Sequence, residues 1–183
     1  MPAVLVPVAK GCEELETVTI IDILRRGEVE VVVAGLDAEP VTASRGVRLI
    51  PDATLDEALQ REYDMVALPG GAKGAENLSN DTRIPALLKQ MTDKGKYTAA
   101  ICAGPTVLAK AGLLAGKKAT SYPAMLDQLK AANAQCVEEP VVQDGQVITS
   151  RGPGTAMDFA LALLELLQGR ETRDKVEKAL VRP

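Results

Sequence analysis

The stretch Tyr97-Thr98-Ala99-Ala100-Ile101-Cys102-Ala103-Gly104-Pro105-Thr106-Val107-Leu108-Ala109-Lys110-Ala111-Gly112 decides how this chain folds. Tyr97 to Ile101 is a short apolar run of the kind that makes a buried strand. It stops at Cys102, and Ala103-Gly104-Pro105 then opens an apolar helix that Gly112 ends. Proline is tolerated in a first helical turn, where its missing N–H has no partner to lose, and glycine accepts the backbone that follows a last turn. A strand that enters a helix through so tight a turn lifts one side chain above the sheet edge, which is how α/β-hydrolases present their serine. Here that side chain is a thiol. It would face the first free N–H groups of the helix, whose partial positive charge favours thiolate over thiol. Taken alone, a cysteine after an apolar strand is more often a small buried hydrophobe than a nucleophile. The flanking Ala, Gly and Pro count the other way, because small residues leave room for a ligand against the backbone.

Outward from this stretch the same alternation repeats. Ala3 to Ala9 reads as a first strand, with Pro7 in conflict because proline cannot donate to a ladder. Lys10-Gly11-Cys12 is a turn, and the helix opened by Glu13-Glu14-Leu15-Glu16 runs to about Arg26, with Gly27 as its stop. Carboxylates in its first turn and arginines in its last match the helix dipole. Val29 to Ala34 is the next strand, completing a βαβ unit and hence a parallel sheet. Residues 39–50 suggest a small hairpin around Ser44-Arg45-Gly46, and Leu55 to Leu59 a short helix. Tyr63 to Leu68 is a third core strand, ended by Pro69-Gly70-Gly71, after which a polar loop leads to a helix over Arg83 to Lys94.

Beyond the central stretch, Ala119 to Ser121 reads as a strand and Ala124 to Ala132 as a helix. Cys136 to Val142 and Gln146 to Ser150 flank an Asp144-Gly145 hairpin signal. Thr155 with Asp158 predicts a capping pair for a largely buried helix, Ala156 to Gln168, and Thr172 to Leu180 a last charged helix. The pattern predicts one domain over residues 1–183, an α/β three-layer sandwich with a mostly parallel sheet and helices on both faces.

Composition excludes more than it includes. The chain has no histidine, so neither a Cys-His dyad nor an imidazole metal site can be built. Three widely spaced cysteines (Cys12, Cys102, Cys136) form no CxxC pair, which argues against a disulfide framework and a zinc site and for a reducing, cytoplasmic setting. A net charge of −4 argues against a dedicated nucleic-acid surface. No apolar stretch approaches the ~20 residues that span a bilayer, and the opening Met-Pro-Ala-Val-Leu-Val lacks the basic start of a signal peptide.

Ligands of such folds bind at the carboxyl ends of the strands. There the chain places Gly11 to Glu16, Pro69-Gly70-Gly71, Cys102-Ala103-Gly104 and Arg151-Gly152-Pro153-Gly154: an acid cluster, two glycine-rich turns and a thiol. Glu13 and Glu14 read best as complements to the helix dipole. Arg151 is as well suited to an anion as to a carboxylate partner, and Arg26 and Arg45 are candidates for a basic rim.

Four segments together, Glu13-Glu14-Leu15-Glu16-Thr17, Leu68-Pro69-Gly70-Gly71, Ala99-Ala100-Ile101-Cys102-Ala103-Gly104-Pro105 and Ser150-Arg151-Gly152-Pro153-Gly154-Thr155, resemble the ThiJ/PfpI superfamily over essentially the whole chain, in order. Within it they most resemble the subfamily of the parkinsonism-associated protein deglycase and bacterial YajL. The resemblance implies a flavodoxin-like sandwich with a nucleophile elbow, a homodimer and an oxidation-sensitive nucleophile at Cys102. It also implies Glu16 as the acid beside the sulfur, and the N–H groups of Gly71 and Ala103 as an oxyanion pocket beside Gly70. The implied activities are glutathione-independent glyoxalase, repair of glycated proteins and nucleotides, redox sensing and chaperone action in oxidative and carbonyl stress, without a cofactor or metal. A small aldehyde or a glycated protein would be the substrate.

One departure narrows this. Close relatives carry histidine within Thr-His-Pro downstream of the cysteine; here the segment is Thr120-Ser121-Tyr122-Pro123, so Tyr122 takes that place. A phenol hydrogen-bonds but is a poor base at neutral pH. The protease-like branch has histidine directly after the cysteine, where this chain has Ala103, and the amidotransferase triad also needs histidine. The readings that stand are a glyoxalase or deglycase with Cys102 as nucleophile and Glu16 as proton shuttle, and a non-catalytic redox sensor or chaperone whose Cys102 becomes a sulfinate held by protonated Glu16.

Overall fold

The aliphatic runs form the strands of one sheet in a computed structural model that describes residues 1–183. The chain opens with β1 (Ala3–Val8), α1 (Glu14–Arg26) and β2 (Glu30–Gly35). A hairpin of β3 (Val41–Thr42) and β4 (Arg48–Leu49) follows, then the edge strand β5 (Ala53–Thr54) and the single turn α2 (Leu55–Ala58). Next come β6 (Met65–Leu68), α3 (Ala72–Asn80), α4 (Arg83–Asp93), β7 (Tyr97–Ile101) and α5 (Pro105–Lys110). β8 (Lys118–Ala119), α6 (Leu126–Ala131) and β9 (Gln135–Cys136) lead to β10 (Val141–Asp144) and β11 (Val147–Ser150). Two helices close the chain, α7 (Ala156–Gln168) and α8 (Arg170–Ala179).

Seven strands share the main sheet in the order β10-β11-β7-β6-β1-β2-β5, all parallel except β10, which runs antiparallel to β11. Side chains alternate between the two faces, as strand geometry requires. Val4, Val6 and Val8 of β1 pack with Ile20 and Ile23 of α1, Phe159 and Leu163 of α7 and Val176 of α8. Ala3 and Leu5 pack instead with Leu78 of α3, Leu88 of α4 and Leu108 of α5. The result is the flavodoxin-like sandwich that the alternation of elements predicts. The chain goes from β1 outward to β2 and later returns to β6 on the other side of β1. That reversal opens a crevice at the carboxyl ends of β1 and β6, the usual ligand position in open parallel sheets.

Pro7 is resolved by register. β1 pairs with β2 through Val8, but its pairing with β6 ends at Leu5, so the proline lies where the ladder on one side has already stopped. Four expectations fail. The segment after Gly71 is the helix α3 and not a polar loop; its buried stripe is only Gly74, Ala75 and Leu78, too short and too small to register as a periodic apolar face. The expected strand from Ala119 is the short β8, which pairs with Gln135–Cys136 in a separate two-stranded ribbon, so the run from Cys136 to Val142 is split between two sheets. The expected Ala124–Ala132 helix begins as a 3-10 turn, Pro123–Met125, before α6. Thr155 does not cap α7: its hydroxyl accepts from the Gly152 N–H and meets Ser150 Oγ at 2.7 Å, and Asp158 pairs with Arg182.

Candidate active site

Cys102 sits in the left-handed region with φ +64°, a backbone that L-residues adopt at a cost on the order of 1–2 kcal/mol. Its neighbours hold it there. The Cys102 N–H donates to Ser150 O at 3.0 Å, and the Cys102 carbonyl accepts from the Tyr122 N–H at 2.9 Å. The Gly104 N–H donates to Ile101 O at 2.8 Å and closes the elbow. A Cβ on Gly104 would lie 2.9 Å from both Ile101 O and Leu68 O, so only glycine fits this close approach of β7 and β6.

The second glycine turn brings the acid to the thiol. The Gly70 N–H donates to Glu16 Oε2 at 2.8 Å, and the Glu13 N–H donates to Gly70 O at 3.0 Å. A Cβ on Gly70 would lie 2.5 Å from Cys102 Cβ and 2.6 Å from Glu16 Oε2. The absence of a side chain at Gly70 is therefore what lets the carboxyl and the thiol meet. Gly71 has φ +84°, and a Cβ there would run into the backbone of Gly11, Cys12 and Glu13. Glu16 is fully buried, and its other oxygen, Oε1, has no partner in hydrogen-bond geometry; the Cys102 thiol is the neighbouring polar group.

Burial pushes the Glu16 carboxyl up to about 7, with the charge of Glu13 adding to the rise, while the thiol and the Gly70 N–H oppose it. Burial also pushes the Cys102 thiol up, to about 12, reinforced by the charge of Glu16 beside it. The backbone N–H groups of Gly71 and Ala103 act in the opposite direction. This corrects the expectation of a thiolate favoured by a helix terminus. The two N–H groups are present, but α5 has six residues, and burial beside a carboxylate outweighs them. Each group resists losing its proton while the other is charged, so near neutrality the thiol keeps its proton and Glu16 is the member of the pair that titrates. Protonation of Glu16 removes the repulsion that holds the thiol protonated.

The remaining predicted residues fall in three places. Tyr122 stays beside the elbow, its N–H on Cys102 O and its ring over Gly152. Arg151 is half-buried, forms no ion pair, and has an Nε that is buried without a partner. Glu13 and Glu14 serve structure. Glu13 Oε2 caps α1 by accepting the Glu16 N–H at 2.7 Å. Glu14 accepts from Ser44 Oγ at 2.7 Å and from the Arg45 N–H at 2.6 Å, tying the β3–β4 hairpin over the first βα turn. Burial works against the Glu14 charge, yet those donors hold its carboxyl below the ordinary range. Arg45 thus lies over the first βα turn, whereas Arg26 pairs with Asp22 at the far end of α1 and belongs to no rim of this site.

The sequence reading missed Ser150 as the residue whose carbonyl fixes Cys102. The pairing of Ile101 with Ser150 places it there, and adjacent parallel strands ending in Cys102 and Arg151 were the available signal. No cluster of three or more Cys, Asp or Glu side chains is arranged to hold a metal ion. A cleft of about 530 Å³, lined by residues including Lys10, Asp37, Glu39, Thr42 and Asn77, lies beyond the ends of β1 and β2 and does not include Cys102 or Glu16. No helix is long and apolar enough to cross a membrane.

Comparison with known proteins adds an independent line. A family model described as the DJ-1/PfpI family matches residues 2–166. Protein DJ-1alpha of Drosophila melanogaster is 48% identical over 179 residues, covering 97% of this chain and 82% of that protein. A Caenorhabditis elegans protein named glutathione-independent glyoxalase DJR-1.2 is 36% identical over 171 residues, covering 93% of this chain and 91% of its own length. The crystal structure of Drosophila melanogaster DJ-1beta superposes with a TM-score of 0.96 at 43% identity, over 100% of this chain and 98% of that one.

Proposed function

The chain belongs to the DJ-1/PfpI family, and on that premise we propose that it is a glutathione-independent glyoxalase or deglycase acting on methylglyoxal or its adducts through Cys102. One observation carries the reading: a fully buried carboxyl, Glu16, keeps an oxygen without a partner beside the thiol. Such a group is expensive for the fold and poised for proton transfer near pH 7. The name of the Caenorhabditis elegans relative supports the same reaction class.

The reaction needs no external oxidant. Glu16 takes the thiol proton as the sulfur bonds to the aldehyde carbon, giving a hemithioacetal whose oxygen the Gly71 and Ala103 N–H groups stabilise. Glu16 gives the thiol proton to that oxygen, and the carboxylate so restored removes the proton from the carbon and returns it to the adjacent one as the hydroxyl proton passes to the ketone oxygen. The first carbon is oxidised to a thioester while the ketone carbon is reduced to an alcohol. Water cleaves the thioester, releasing lactate and restoring the thiol, so methylglyoxal plus water gives lactate. With Tyr122 in the place of histidine, the carboxyl carries the proton work, and turnover is slower than an imidazole would permit. Steady-state lactate formation, compared with a Cys102→Ser variant, tests the reading; equal rates overturn it.

The same pair of groups favours a second reading, redox sensing. A protonated Glu16 donates to an oxygen on the sulfur, and two equivalents of peroxide convert the thiol to a sulfinate with release of two waters. Intact mass after mild peroxide then rises by about 32 Da, at Cys102 alone. We read the whole chain as one cytoplasmic domain that pairs with a second copy. Leu15 and Val18 on α1 and Val47 in the β3–β4 hairpin are exposed apolar side chains that a partner would cover. Sedimentation at the 19.3 kDa monomer mass would overturn the pairing.

A further inference from the structure

Tyr122 stands out among the side chains around Cys102. It is 47% exposed and is the one aromatic among the exposed large hydrophobic residues, in a chain that has a single Phe and three Tyr. Around Cys102 stand Gly70, the Gly71 and Ala103 N–H groups and the Glu16 carboxyl, which offer a substrate polar groups and no apolar side chain larger than a methyl. Tyr122 is tied to the elbow by two features. Its own N–H donates to the carbonyl of Cys102 at 2.9 Å, which ties its backbone to that of the nucleophile. Its edge rests on Gly152, where a Cβ would lie 3.4 Å from Cδ2 and 3.9 Å from Cε2. Gly152 follows Ser150 by two residues, and the Ser150 carbonyl holds the Cys102 N–H, so both seats of the ring belong to the framework of the elbow.

An exposed ring seated on the framework of the elbow discriminates by the substituent on the ligand. The methyl group of methylglyoxal is too small to cover it, whereas a planar aromatic substituent gains offset stacking and removes apolar surface of both partners from water. Resting on the glyoxalase reading above, we propose that Tyr122 is a specificity-determining residue that selects 2-oxoaldehydes with an aromatic substituent over methylglyoxal.

The test compares kcat/KM for phenylglyoxal and for methylglyoxal in the wild type, Tyr122→Phe and Tyr122→Ala. An aromatic pair contributes about 0.5–1.5 kcal/mol, so Tyr122→Ala should lower the phenylglyoxal-to-methylglyoxal ratio about 2- to 10-fold. Tyr122→Phe, which keeps the ring, should preserve it. An unchanged ratio in Tyr122→Ala overturns the proposal. A second readout does not depend on turnover: protection of Cys102 from alkylation by mandelate and by lactate, the two product acids. Mandelate should protect at lower concentration than lactate, and Tyr122→Ala should abolish that preference. If neither aldehyde is turned over, the glyoxalase reading fails by itself; selective protection by mandelate then upholds the ring as selector, and equal protection overturns it.

Discussion

The two ends of the central sheet treat carboxylates in opposite ways. At the amino ends of the strands, Glu30 forms a two-pronged pair with Arg61 at 2.7 Å, Glu62 pairs with Lys94, and Asp64 pairs with Lys96 at 2.8 Å while accepting the Ala3 N–H. Hydrogen bonds from those cations hold all three carboxyls below their ordinary range. At the carboxyl ends, Glu16 has no cation, one donor and a bare oxygen, and burial raises it to about 7. The difference separates charges that serve the scaffold from one kept unsatisfied against a thiol, which is where proton chemistry is expected.

The contrast breaks most completely if the thiol goes. Cys102→Ser should lower lactate formation from methylglyoxal at least ~10³-fold, while unfolding by urea stays close to the wild type, since serine fits the same turn. Gly71→Ala comes next. With φ +84° and backbone atoms already where the Cβ must go, it should destabilise by more than about 2 kcal/mol, read as a fall in urea midpoint, and reduce turnover by displacing an oxyanion donor.

Glu16→Gln sharpens the comparison through pH. A carboxyl raised from 4.5 to about 7 contributes stability that is complete below pH 4.5 and lost as pH rises through 7. The wild type should therefore lose on the order of 3 kcal/mol relative to Glu16→Gln over that range, at about 1.4 kcal/mol per unit, measured by urea unfolding from pH 4.5 to 8. The carboxylates at the other end have the opposite sign: their stabilisation is present above pH 4.5 and disappears as acid titrates them through their lowered values. The smallest effect belongs there. Arg61→Ala removes an exposed pair, so it should leave lactate formation unchanged and shift the urea midpoint by less than Gly71→Ala does.

Much of the fold was legible because it rests on local regularities. Aliphatic runs made β1, β2, β6 and β7 within a residue or two, and the Asp144-Gly145 signal marked the β10–β11 hairpin. α3 was not legible, since Gly74 earns its place there by close packing: a Cβ would lie 2.6 Å from Cys12 Cα, and nothing in a run of small and polar residues announces such a contact. The elements around Cys136 were misread for a related reason, because two residues of pairing with β8 are too few to leave a pattern.

What the sequence by itself determined is the order of strands and helices, the thiol at a strand-to-helix turn, the glycines around it and the exclusion of every imidazole mechanism. Each follows from residue type and neighbours along the chain. Only the tertiary structure decided the state of the thiol. Helix-terminus reasoning favours thiolate, yet burial and a carboxyl 86 positions away in sequence, counted from Glu16 to Cys102, raise its proton affinity. Desolvation and charge–charge distance are set by how β1, β6 and β7 close on one another, and no local pattern encodes them.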